Sequence, residues 1–178
     1  MPPPSPDELD DATLDFVRRV FGYARAGDAG ELATLLGQGL PPNLCNERGD
    51  SLLMLACYHG HHGAAQVLLE HGADPEIMND AGQAPLHGAA FKGDLAVATL
   101  LLDHGARVDA AGPNGKTALM FAAMFNRADI ARLLLARGAD PFRLDADGNT
   151  MVDAARRMGA LDTMALLAAV TTNAGRPG

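Results

Sequence analysis

The sequence predicts an all-α solenoid of stacked helix-turn-helix units, and three observations carry that prediction. Glycines recur in three in-phase series spaced by 33 residues. Short apolar stretches between them repeat at helical spacing. Within each unit the first stretch is rich in alanine and the second in leucine. Self-similarity at such a period marks a stack whose single units cannot bury their own apolar face.

The glycines come first. Gly49, Gly82, Gly115 and Gly148 form one series, and Gly72, Gly105 and Gly138 form a second in which each glycine is followed by Ala. The third is Gly60, Gly93 and Gly159, with Asn126 in the slot between the last two. Asn is the natural stand-in for Gly where the backbone needs positive φ.

Helical elements fill the intervals. Leu53 to Cys57 gives one short helix, and Ala64, Ala65, Val67, Leu68 and Leu69 build its partner. Leu86, Ala89 and Ala90, then Val97 and Leu100 to Leu102, make the next pair. Leu119, Ala122 and Ala123, then Ile130 and Leu133 to Leu135, make a third. The alanine pairs let neighbouring backbones approach closely, and the leucine triplets supply a continuous core. Connections between the helices are short turns.

These residues resemble the ankyrin repeat. The resemblance rests on Gly82-Gln-Ala-Pro85-Leu86-His87-Gly-Ala89-Ala90 with Leu100-Leu-Leu-Asp-His-Gly105-Ala106, and on Gly115-Lys-Thr117-Ala-Leu119 with Leu133-Leu-Leu-Ala-Arg-Gly138-Ala139-Asp140. It implies a β-turn, two antiparallel helices and a hairpin-like loop per unit, about five units in all, and a bacterial type of the family. The family's Thr-Pro-Leu-His signature is incomplete in every unit: Ser51-Leu-Leu-Met54, Ala84-Pro-Leu-His87, Thr117-Ala-Leu-Met120 and Thr150-Met-Val-Asp153. A hydroxyl there caps the first helix and Pro presets its first turn, so modest stability per repeat is expected.

The units are placed at 13–47, 48–80, 81–113, 114–146 and 147–170, the first and last acting as caps of one domain. Counting back one period from Gly49 gives Phe16, with Gly27 and Gly39 still in register. Residues 1–12, Pro-rich and acidic, and 171–178, small and polar, read as disordered tails.

Composition narrows the function. The formal net charge is −8 and the pI near 5.0, which argues against nucleic acid and against anionic membrane surfaces as partners. Cys45 and Cys57 are the only cysteines, so a reducing compartment fits better than a disulfide scaffold. The chain shows no signal-peptide pattern and no apolar run long enough to span a bilayer, so a cytoplasmic protein is expected. The richness in Ala, Arg and Gly points to a GC-rich bacterial source.

A binding face follows from the register. The ninth and tenth residues after each turn glycine should face the concave side: Tyr58 and His59, Phe91 and Lys92, Met124 and Phe125, Arg157 and Met158. The chain has eight aromatic residues and three fall in these slots. Tyr, Phe, Met and Arg are the types enriched in interface cores. The expected role is a non-catalytic module that binds another protein through this stripe, working as a monomer with no cofactor. The competing reading folds the same side chains down over neighbouring repeats to lengthen the core.

Two further possibilities stand beside it. His59, His61 and His62 are close in sequence and invite a metal-dependent or accessory enzyme role. However, His61, His71, His87 and His104 all sit in slots that the repeat explains, which leaves too few ligands for a zinc site. The last helix, from Leu161 to Val170, carries Asp162 as its single charge, so a self-assembling structural solenoid through that end is the other. No phosphate-binding glycine loop appears, and neither Ser5 nor Ser51 sits in a nucleophile elbow. No catalytic residue is therefore assigned.

Overall fold

In the computed structural model, which describes residues 11–174, the described residues form ten helices in five antiparallel pairs. They are α1 (Asp11–Ala26), α2 (Ala29–Gly37), α3 (Leu52–Tyr58), α4 (His62–Glu70), α5 (Pro85–Lys92), α6 (Leu95–Asp103), α7 (Ala118–Met124), α8 (Ala128–Ala136), α9 (Met151–Met158) and α10 (Leu161–Ala174). The odd-numbered helices pack against one another in an inner row, and the even-numbered ones form an outer row behind them.

Alanine makes the inner row possible. Ala56, Ala89, Ala90, Ala122, Ala123 and Ala155 are completely buried where helices touch. One leucine in each of α4, α6, α8 and α10, namely Leu68, Leu101, Leu134 and Leu167, is likewise closed off from solvent. These leucines recur at the 33-residue period and link the units into one core.

The glycine series take the backbone they were expected to need. All of them, from Gly49 to Gly159, have positive φ, and Asn126 (φ 55°) is the one positive-φ residue other than glycine among the described residues. The inner helices start on the Thr-Pro-Leu-His positions. Ser51, Thr117 and Thr150 accept hydrogen bonds from the backbone N–H of Met54, Met120 and Asp153. Ala84 has no side-chain oxygen to offer, and Pro85 opens that helix instead.

His87 completes this unit differently. Its Nδ1 accepts from the N–H of Ala84 at 2.9 Å, and its Nε2 lies 2.9 Å from the carbonyl of Ala110. The two partners require the neutral ring with its proton on Nε2. Burial opposes protonation and holds its pKa below the ordinary value, against smaller raising effects of the Ala110 bond and the Glu76 charge.

Between the pairs, the turn tips lock to one another. Asn46, Asn79 and Asp145 each accept two backbone N–H groups of their own turn, at Arg48 and Asp50, Ala81 and Gln83, Asp147 and Asn149. These Asx-type bonds hold the tip without a partner strand. Among the described residues a single isolated antiparallel bridge joins Cys45 and Ser51. Successive tips are tied by Asp80 N–H to the Arg48 carbonyl and Ala146 N–H to the Asn114 carbonyl.

At the ends the structure departs from the expected boundaries. α1 already contains Asp11 and Ala12, and it runs through Phe16, where later units have a turn glycine. With no turn to make, the chain simply continues the helix. α10 extends to Ala174 rather than stopping at Val170, because nothing between Thr171 and Ala174 breaks a helix. The remainder of both expected tails, 1–10 and 175–178, lies outside the described residues.

Candidate concave binding face

The inner helices end in line, so their last turns lie side by side. Tyr58 closes α3, Phe91 and Lys92 close α5, Met124 closes α7 with Phe125 as its cap, and Arg157 and Met158 close α9. The predicted residues from adjacent units do meet. The rings of Tyr58 and Phe91 are stacked, with centroids 6.2 Å apart and planes 8° apart. Phe91 and Phe125 meet edge to face at 4.5 Å. Both are favourable aromatic geometries.

This ladder is neither fully core nor fully free. Phe91 and Phe125 are half-buried, and Phe125 packs against the core cluster. Tyr58 stays 39% exposed and Met158 54% exposed. The rings thus lean on neighbouring repeats while keeping one edge in solvent.

Polar groups frame the ladder. Lys92 places its Nζ 4.4 Å from the centre of the Tyr58 ring, a cation–π contact. His59 packs edge-on to Tyr58 at 5.5 Å and lies 6.2 Å from the ring of His61. Desolvation lowers the pKa of His59, helped by the charges of His61, Lys92 and Arg25. In front of Tyr58 a cleft of about 420 Å³ opens between the turn tips and the inner helices, lined among others by Arg25, Arg48, Asp50, Tyr58 and His59.

Arg25 is the residue the register reading passed over. It stands one period before Tyr58, so the signal was present. The first unit lacks a turn glycine, and counting from turn glycines therefore never reached it. Gly88 is the other omission. Its missing side chain leaves a small hollow against Tyr58, Gln83, His87 and Phe91.

The histidine cluster does not converge. His61 sits at the start of α4 with its Nε2 2.8 Å from the Arg25 carbonyl. His71 and His104 turn back onto the carbonyls of Val67 and Leu100. Among the described residues no group of three His, Cys, Asp or Glu side chains is placed to hold a metal ion. The helix start and the Arg25 carbonyl determine where His61 points.

Cys57 is buried, and burial with the nearby Asp94 charge pushes its thiol pKa far up, so it is inert at neutral pH. Cys45 is exposed, and its thiol is also raised, by desolvation and then by Asp50. On α10, Thr163 and Leu167 face inward, whereas Leu161 is 73% exposed and Ala165 and Ala169 are also exposed. No helix among the described residues is long and apolar enough to cross a membrane.

The comparisons agree with the repeat fold. A family model of ankyrin repeats in three copies matches residues 21–112, more than half of the chain, and a second model of ankyrin repeats in many copies matches 101–155. The chain belongs to the ankyrin-repeat family. Such repeats are generally protein-interaction modules, and the family is typically non-enzymatic. A putative ankyrin repeat protein of Pseudomonas aeruginosa is 61% identical over 54 residues, which cover 30% of this chain and 32% of that relative. The chain thus spans about a third of the length of the curated relative it matches.

Proposed function

We propose that this ankyrin-repeat chain is a non-catalytic module, one domain whose repeats run from α1 to α10, that binds a partner protein through its concave face. The observation that carries the reading is the ring ladder Tyr58–Phe91–Phe125, which crosses three units and keeps an exposed edge. Aromatic side chains on a rigid scaffold lose little entropy on association, and they are favoured anchors of interfaces. His59, Lys92, Met124, Arg157 and Met158 extend the same surface, and Arg25 joins it from the first unit. We place the protein in the bacterial cytoplasm as a monomer.

The test compares the wild type with a Tyr58→Ala, Phe91→Ala, Phe125→Ala variant in affinity capture from native cell extract. Circular dichroism and thermal melting establish that the variant is folded. A second variant, Tyr58→Ala with Met158→Ala, removes only the most exposed side chains and spares the core. Loss of a captured protein from both variants is the expected result. Equal capture by wild type and variants would remove the concave face as the binding surface.

A further inference from the structure

We infer that the hollow over Gly88 receives one large apolar side chain from an extended segment of the partner protein, which rests on the reading of the concave face as the binding surface. Leucine, methionine and phenylalanine have the size and polarity that the hollow takes.

The backbone does not require a glycine at position 88. Gly88 lies inside α5 and is not among the glycines with positive φ. A Cβ added there would meet Met54 Sδ at 3.5 Å and Tyr58 Cδ2 at 3.8 Å, ordinary contacts that force nothing to move. A glycine inside a helix lowers stability relative to alanine. The fold by itself therefore favours a side chain at this position.

The other units show what the slot holds. Leu55 and Phe121, one period before and after, are both buried, and Ala154 follows them. The Phe121 ring packs back onto the preceding unit, 5.4 Å from the ring of His87. Gly22 has the slot in the first unit, with no unit before it and nothing within 4 Å. Gly88 is thus the member of the series that faces a preceding unit and leaves the space there unfilled.

That space is about 170 Å³, lined by Tyr58, Gln83, His87, Gly88 and Phe91. A cavity of about 150 Å³ accommodates a benzene-sized group, so the hollow fits one large apolar side chain. Rings form three of its walls. His87 already has both nitrogens engaged, with Ala84 and Ala110, and no wall residue carries a charge to offset the desolvation of an ionised group. The equivalent hollow over Ala154 differs in kind: it measures about 120 Å³ and has Lys116, Asp145, Asp147 and Arg157 in its walls.

Gln83 indicates the form of the segment. Its main-chain N–H and carbonyl close the turn with Asn79, but its half-buried side-chain amide makes no hydrogen bond among the described residues. That amide offers both a donor and an acceptor. They match the free N–H and C=O groups of an extended segment, whereas a helix bonds those groups internally.

The experiment is selection of a random peptide library displayed on phage against the full chain, with the winners resynthesised, dye-labelled and measured by fluorescence anisotropy. Winners should share one Leu, Met or Phe whose replacement by Ala or Asp weakens binding about tenfold or more. Gly88→Ala should raise the melting temperature by roughly 2–4 °C and weaken the same peptides about tenfold by filling the hollow. Shortening the anchor to Val should recover part of that loss. Gln83→Leu should weaken binding about fivefold, while Gly22→Ala, the same change in the first unit's slot, leaves it unchanged.

Equal affinity of wild type and Gly88→Ala, for peptides that the Tyr58→Ala, Phe91→Ala, Phe125→Ala variant loses, would overturn the hollow and leave the concave reading standing. A Gly88→Ala chain that melts below the wild type would also overturn it, because the glycine would then serve the fold. Unchanged affinity in Gln83→Leu would refute the extended segment. Peptides that survive the aromatic variant, or a selection that enriches none, would overturn both readings.

Discussion

Asn126 offers a direct test of how one residue serves two units. It follows α7 with φ 55°, a left-handed conformation. Its Oδ1 accepts the backbone N–H groups of Asp162 at 3.0 Å and Thr163 at 3.1 Å, in the first turn of α10. Its Nδ2 donates to the Asp162 carboxylate at 2.8 Å. The residue before α10 is Ala160, which has no oxygen for this purpose, so Asn126 acts as its cap from 34 positions upstream.

Asn126→Gly keeps the backbone unstrained and removes the cap, costing about 1 kcal/mol, the usual worth of such a group. Asn126→Ala removes the cap and also leaves in the left-handed region a residue without the short polar side chain that eases Asn there, adding roughly 1–2 kcal/mol. Urea titration followed by circular dichroism measures both. The expected order is wild type, then Gly, then Ala. Equal stability of the Gly and Ala variants would refute the backbone argument, and an unchanged Gly variant would refute the cap.

Two further predictions concern the scaffold. His87 has a folded pKa below its ordinary value, so the unfolded chain binds the extra proton more readily. Stability is then complete above about pH 6.5 and declines as the pH falls below it. His59, also held low, acts in the same sense. Denaturant midpoints across that range should drop with acidification, and less steeply in His87→Leu; identical slopes would remove His87 as the cause.

A Cβ added at Gly112 would run into the backbone carbonyl of Gly82, which cannot turn aside. Gly112→Ala should therefore destabilise by about 1–3 kcal/mol. Gly22→Ala, on the open side of α1 with nothing within 4 Å, should stabilise by roughly 0.5–1 kcal/mol. Thermal melting that moves both variants the same way would contradict this contrast.

The sequence by itself determined the features that depend on neighbouring atoms along the chain. Positive φ at the glycine slots and at Asn126 is a local steric matter, so spacing and residue type were enough to locate it. Helical apolar spacing likewise identified Leu101 and Leu134 as core, and the register brought Tyr58, Phe91 and Phe125 to one face.

The tertiary structure decided what depends on distance across units. Whether those rings touch follows from how closely the alanine-lined helices approach. That Arg25 joins the face follows from a first unit that replaces the turn with a longer helix. His61 points at the Arg25 carbonyl and Asn126 reaches the start of α10 for the same reason: each partner lies 36 residues away in sequence and within hydrogen-bond distance in space. A one-dimensional repeat specifies which residues share a slot, but the stacking of slots creates the contacts, and those build the ring ladder.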